Sequence, residues 1–278
     1  MSTPTPNPTP SVPKLEAPGR VTFPGVLLSE WTKFRTVRST AWSLGIGILL
    51  TTAIPLIPAF VTDSQWAHAS AADRTSHSPL DIALVGVYIA QLAIAVLGVL
   101  MITAEYSTGS SRSTFTAVPK RLPVLWAKLI DYALVSIALM VPAVLVSFFE
   151  TQTILSDIPQ LQISFEAPGI ARCVLMAAVY VMLVGIFALA LGAIVRNTAG
   201  GIALFVGIFF VVPPLMLTLP QRWQNAITPY LPSEAGRQIF ALHHDPQTLT
   251  PLAGGLVFAG YCAVAIAIAA VLLQRRDV

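Results

Sequence analysis

Few residues in this chain are of a type and spacing that could make or break bonds. His243-His244-Asp245 is the one tempting cluster, and His68 and His77 could join it only if the fold brought them there. Adjacent residues on one helix or strand do not converge on a single metal, and no third ligand follows at metal-binding spacing. The sequence contains no Gly-x-x-x-x-Gly-Lys-Ser/Thr phosphate loop, no His-Glu-x-x-His pair and no Gly-x-Ser-x-Gly elbow. The expectation is a chain with no catalytic residues, no metal site and no ATP site of its own. Cys173 and Cys262, both in apolar surroundings, make no disulfide framework.

The elements that carry these residues explain the scarcity. Only 10% of the 278 residues are charged and 55% are hydrophobic, with a mean hydropathy of +0.75. A soluble domain carries about 25% charged residues, so a cytosolic enzyme, a disordered chain and a nucleic-acid module are all excluded. Residues 39–62, 82–104, 132–149, 173–195, 197–221 and 246–274 contain no Asp, Glu, Lys or Arg. A helix needs about 20 apolar residues to cross a bilayer core. The third stretch qualifies by extending back past Asp131 and Lys128 toward Pro123. Continuous apolar runs, rather than alternating ones, argue for helices and not for barrel strands. The expected fold is an all-α polytopic membrane protein with six transmembrane helices, at about 41–61, 80–103, 123–149, 171–195, 199–219 and 252–273.

Orientation follows from the basic residues. With the N-terminus inside, twelve Lys and Arg fall on the cytoplasmic side and four outside, while acidic residues divide five inside and eight outside. Both termini are therefore expected in the cytoplasm. The net charge of +3 is then the remainder of a topological asymmetry and no footprint for nucleic acid.

Three segments outside the spans carry information. The Pro/Thr-rich head, residues 1–20, reads as a disordered cytoplasmic tail. Residues 26–38 read as an interfacial elbow helix, with Leu27, Trp31 and Phe34 on one stripe, Lys33 opposite, and Arg35 and Arg38 able to snorkel. The outer connection 220–251 is too rich in Trp, Tyr, Phe and Ile for an aqueous loop, and a re-entrant or interfacial helical segment fits better. Domain organisation is thus a tail at 1–20 and one transmembrane domain at 21–278. Pro142 and Pro213-Pro214 are expected to kink spans three and five, and Ala199, Ala203 and Gly207 to permit a close helix approach.

Ion-coupled carriers hold their driving ion on titratable groups deep in the membrane. Here Glu105, Lys128 and Asp131 lie near the cytoplasmic boundary and Asp81, Glu150 and Arg172 near the outer one. Lys128 and Asp131, three apart, are expected to pair. Uphill transport would then draw its energy from outside the bilayer, and the hydroxyl-rich loop Ala104-Glu-Tyr-Ser-Thr-Gly-Ser-Ser-Arg-Ser-Thr-Phe-Thr-Ala-Val-Pro119 is the natural point of entry. Its composition suits a short surface helix, although an ordinary solvated connector has the same makeup. Tyr88 and Gln91 in span two could line a polar route or bond a neighbouring helix.

Taken in order, Ser29-Glu-Trp-Thr-Lys-Phe-Arg-Thr-Val-Arg38, Thr103-Ala-Glu-Tyr-Ser-Thr-Gly109 with Arg112, Thr114, Pro119 and Arg121, Leu191-Gly-Ala-Ile-Val-Arg-Asn-Thr-Ala-Gly200 and Gln274-Arg-Arg-Asp277 resemble the type-2 ABC exporter permeases in their actinobacterial form. The resemblance spans about residues 26–278. It implies an elbow helix at 26–38 anchored by Glu30, Trp31, Lys33, Arg35 and Arg38. It implies a coupling helix at 105–117 in which Glu105, Tyr106, Gly109, Arg112 and Thr114 meet an ATPase; Ser110-Ser111 stand where the family carries a more apolar pair. It also implies a substrate path on spans two and five, with Tyr88, Gln91, Phe205, Phe209 and Val212 as candidates. The implied partners are a cytoplasmic ABC ATPase bearing the ATP and Mg, a second permease subunit, identical or not, and the lipid of a bacterial cell membrane. The implied activity is export of an apolar or amphipathic compound, a drug, antibiotic or lipid-like molecule. A self-contained secondary carrier and a membrane enzyme using His243 and His244 are the alternatives.

Overall fold

The computed structural model describes residues 22–36, 38–70, 74, 78–107, 122–243 and 245–275. The expected tail and most of the expected coupling helix, with Gly109, Arg112 and Thr114, lie outside them. All regular structure in the described residues is helical. A first helix, α1 (Phe23–Thr36), precedes six stretches long and apolar enough to cross a membrane. These are α2 (Arg38–Ala53) with α3 (Leu56–Gln65), α4 (Pro79–Ser107), α5 (Leu122–Ile154), α6 (Ile170–Val195), α7 (Thr198–Val206) with α8 (Val212–Met216), and, last in the chain, α11 (Pro251–Arg275). Two short helices, α9 (Gln221–Ile227) and α10 (Pro232–Arg237), fill the connection before α11.

Local sequence sets several boundaries. Ser78 Oγ accepts the Asp81 backbone N–H at 3.3 Å, capping a helix that opens on Pro79 and carries Asp81 in its first turn. Between α6 and α7, Arg196 takes a left-handed φ of 57° and donates its N–H to Gly192 O at 2.8 Å. Asn197 Oδ1 then caps α7 by accepting the Gly200 N–H at 2.9 Å. This two-residue link makes the fourth and fifth spans antiparallel neighbours, as the brevity of Arg196-Asn197 implies.

Proline acts differently in different spans. The first span is one expected run but breaks at Ile54-Pro55 into α2 and α3, because Pro55 can donate no N–H to the ladder. Pro142, expected to kink the third span, lies inside α5, a helix that continues unbroken from Leu122 to Ile154. Pro213-Pro214 open α8 behind a π-turn at Gly207–Val211, which widens the helix where the ladder is interrupted.

α6 is the central helix and packs against α4, α5, α7 and α11. Its core face runs through Cys173, Val174, Ala177, Tyr180, Val184 and Ala188. Close approach comes from glycines there rather than from the Ala199-Ala203-Gly207 repeat. A Cβ on Gly98 would collide with Gly185 O, and one on Gly192 would sit 3.2 Å from Val99 Cα. A Cβ on Gly207 would meet nothing within 4 Å, and Ala199 and Ala203 are exposed. The small-residue spacing of span five thus points away from the rest of the chain. Large apolar groups such as Trp42, Leu49, Phe60, Leu252 and Leu256 are also exposed on outer helices, the arrangement a lipid-facing surface requires.

Candidate functional site

At the end of the bundle where α1 meets the C-terminus of α4 and the N-terminus of α5, four charges converge. α1 turns Val26, Glu30 and Phe34 inward, residues four apart along one face. The expected stripe of Leu27, Trp31 and Phe34 is therefore rotated: Trp31 is exposed and Glu30 takes the buried position. An acidic residue is tolerated there because its carboxylate is fully engaged. Glu30 Oε1 accepts Lys33 Nζ at 2.7 Å, and Glu30 Oε2 accepts Lys128 Nζ at 2.5 Å. Glu105 Oε1 accepts both ammoniums, Lys128 at 2.9 Å and Lys33 at 3.1 Å. Lys128 Nζ reaches the Met101 carbonyl as well, at 3.4 Å.

Two carboxylates and two ammoniums thus alternate across three helices. Their burial is unequal: the Lys128 side chain is 4% exposed and that of Lys33 41%. Burial pulls the Lys33 pKa down, but the Glu30 hydrogen bond and the Glu105 charge outweigh it and hold it above the ordinary lysine value. The expected Lys128–Asp131 pair does not form. Lys128 turns instead to the carboxylates of α1 and α4, and Asp131 Oδ2 is left buried without a hydrogen-bond partner.

Tyr106 follows Glu105 and is held separately. The Arg196 guanidinium lies 5.3 Å from its ring centre, and Thr198 Oγ1 donates to Thr103 Oγ1 at 2.8 Å, whose own hydroxyl donates to Val99 O. The last described turn before residue 108 is therefore tied to α1 and α5 through Glu105 and to the α6–α7 turn through Tyr106. Arg35 and Arg38 are exposed on and just after α1.

The residues assigned to a substrate path lie elsewhere. Gln91 is buried between α4 and α6, where its Oε1 accepts Tyr180 Oη at 2.5 Å and its Nε2 donates to Tyr88 O at 2.9 Å. Tyr88 is partly buried beneath the Arg237 guanidinium, 4.8 Å from the ring centre. Phe205 and Phe209 stack at 4.5 Å between centroids and pack inward toward Phe187 and Phe258. Val212 is partly buried, and the face that span five leaves open carries Leu204, Phe210, Val211 and Leu215.

The connection between α8 and α11 is clamped at two arginines. Arg172 donates to Ile239 O at 3.1 Å and to Ala241 O at 2.8 Å, while Arg237 pairs with Glu234 at 3.2 Å. Ile239 and Phe240 are buried in the core, whereas Trp223 and Tyr230 in the same connection are exposed. His243 is exposed, and among the described residues no three His, Cys, Asp or Glu side chains converge as a metal site.

Of the four charges, Glu30 and Lys33 belong to the expected elbow helix and Glu105 to the expected coupling helix, while Lys128 has no assigned role and nothing in the sequence joins the four into one site. A lysine inside an apolar run is a detectable signal, since such a group must find a partner or cost several kcal/mol. Nothing in the sequence identifies that partner as Glu30. No family model matches the chain, and no curated protein matches it.

Proposed function

We propose that this chain is the membrane-spanning permease subunit of an ATP-driven ABC exporter in a bacterial cell membrane. One observation supports this reading above the others. The middle of the helical bundle is free of charge, and the buried ion pairs gather at the one end where the hydroxyl-rich segment 105–117 begins. A bundle without a mid-membrane titratable group lacks the usual carrier for proton or sodium coupling, so its energy arrives at that end.

In this reading, a cytoplasmic ATPase holding ATP and Mg docks on 105–117, through Glu105, Tyr106, Gly109, Arg112 and Thr114. A second permease subunit, a copy or a sister chain, completes the path, and the exposed face of span five and the small-residue spacing on it suit helix–helix contact. Displacement of 105–117 is carried to the elbow helix and span three because Glu105 is bound to both lysines. The cargo is an apolar or amphipathic compound.

The test is co-expression of this chain with candidate phosphate-loop ATPases that lack spans of their own, followed by purification through a tag on the permease. The expected result is a complex whose ATPase activity exceeds that of the ATPase alone and is lost on Arg112→Glu. Transport into vesicles driven by a pH gradient with no ATPase present would overturn the reading.

A further inference from the structure

A cavity of about 410 Å³ opens directly on the charge cluster. Its walls are Phe34 on α1, Leu100 and Met101 on α4, and Thr40 at the start of α2; Glu30, Lys33, Glu105 and Lys128 form its polar end. The volume lies within the range of about 300–1,000 Å³ typical of small-molecule pockets. Hydrocarbon on one side and paired charges on the other make it amphipathic.

The two lysines at the polar end are not equivalent. Lys128 is buried and bridges Glu30 Oε2 and Glu105 Oε1, so its removal would leave both carboxylates to share Lys33 alone. Lys33 touches Glu30 Oε1 and Glu105 Oε1 from the rim, on a side chain 41% exposed. Its four-carbon stem can carry the ammonium from the rim out to water. A second ammonium entering the cavity could take its place one for one, leaving both carboxylates neutralised. Anions would meet two carboxylates that have no uncommitted cation, and a neutral head would leave them short of a partner once Lys33 moved.

We propose that this cavity binds an amphipathic primary amine, whose ammonium replaces that of Lys33 on Glu30 and Glu105 and whose hydrocarbon lies along Phe34, Leu100 and Met101. A single-tailed amine suits a volume of about 410 Å³. The site belongs to one chain and requires neither an ATPase nor a second permease subunit, so it stands or falls apart from the transport reading.

The test uses the full chain in nanodiscs of phosphatidylcholine, which supplies no primary amine. The probe is a long-chain alkylamine with a diazirine in its tail, compared with the alcohol and the carboxylic acid of the same chain. After photolysis, adducts are mapped by mass spectrometry. Expected are saturable adducts of the amine on Phe34, Leu100 or Met101, with the alcohol and acid giving about tenfold less, the scale of one lost charge-assisted hydrogen bond. Lys33→Met removes the competing ammonium and is expected to raise amine labelling about two- to fivefold, the scale of a partly exposed ion pair. Ala104→Phe fills the cavity wall, leaves every charge in place and is expected to abolish the signal. Glu105→Gln is expected to lower it about tenfold, with a thermal melt confirming that each variant is folded. Equal labelling by amine and alcohol, or labelling unchanged in Ala104→Phe, overturns the proposal.

Discussion

Lys33 and Lys128 contact the same two carboxylates, yet their removal should have very different consequences. Loss of Lys128 leaves Glu30 and Glu105 facing each other with only the rim lysine between them, and breaking a buried pair costs about 3–5 kcal/mol. Loss of Lys33 disturbs a partly exposed pair, worth about 0.2–1 kcal/mol. Thermal or denaturant melts of Lys128→Met and Lys33→Met in a mild detergent are expected to show that order, and Lys128→Met combined with Glu30→Gln is expected to recover part of the loss. The pH dependence has a definite sign. The folded pKa of Lys33 is raised, so its stabilisation is fully present below the unfolded value of about 10.4 and is lost only as pH rises through the higher folded value. The difference between wild type and Lys33→Met should therefore stay constant from about pH 6 to pH 8 and narrow only at strongly alkaline pH. A narrowing near neutrality would contradict the assignment.

Among the helices, what matters is how near two axes can come. Gly98 faces Gly185 O, and Gly185 in turn accommodates the Tyr132 ring, whose hydroxyl donates to Ile94 O at 2.7 Å. Side chains at these positions would push α4 or α5 away from α6. Gly98→Val is expected to destabilise the protein by about 1–3 kcal/mol or more, the cost of overpacking a filled interior, read as a lower melting temperature and a smaller folded yield. Gly207→Ala is the matched control, since its Cβ meets nothing within 4 Å and alanine suits a helical backbone. It is expected to be silent in the isolated chain. Span five displays the same small-residue pattern that suggests close packing from sequence, but the single chain does not use it. Spacing shows that two helices can approach, and the partner's position decides whether they do.

For the whole molecule, the ion pairs at one end and the arginine-clamped connection at the other define two ends of one bundle. The proposed reading puts the α1 end in the cytoplasm, as the balance of basic residues leads one to expect. With Cys173 and Cys262, both buried, replaced by alanine, single cysteines at exposed Thr36 and exposed Gln247 test this in intact cells. A membrane-impermeant maleimide is expected to label Gln247→Cys from outside and Thr36→Cys only after permeabilisation. The reverse pattern would invert the topology and remove the basis for an ATPase at residues 105–117.

The six apolar runs, the short Arg196-Asn197 link and the apolar character of residues 220–251 were legible in the sequence, because hydropathy and chain length are properties of a segment taken alone. The buried face of α1 was not. Its stripe reads as Leu27, Trp31 and Phe34, and only contact with α5 rotates Glu30 inward. Lys128 shows the same limit. Asp131 is its nearest acid along the chain, three residues away, but the lysine bonds Glu30, 98 positions distant. Sequence alone determined that charge is excluded from the middle of this bundle, since the bilayer imposes that on each span separately. Which charges meet at its end, and the amphipathic cavity they close, were decided only by tertiary packing, because pairing depends on the rotation and spacing of three helices at once.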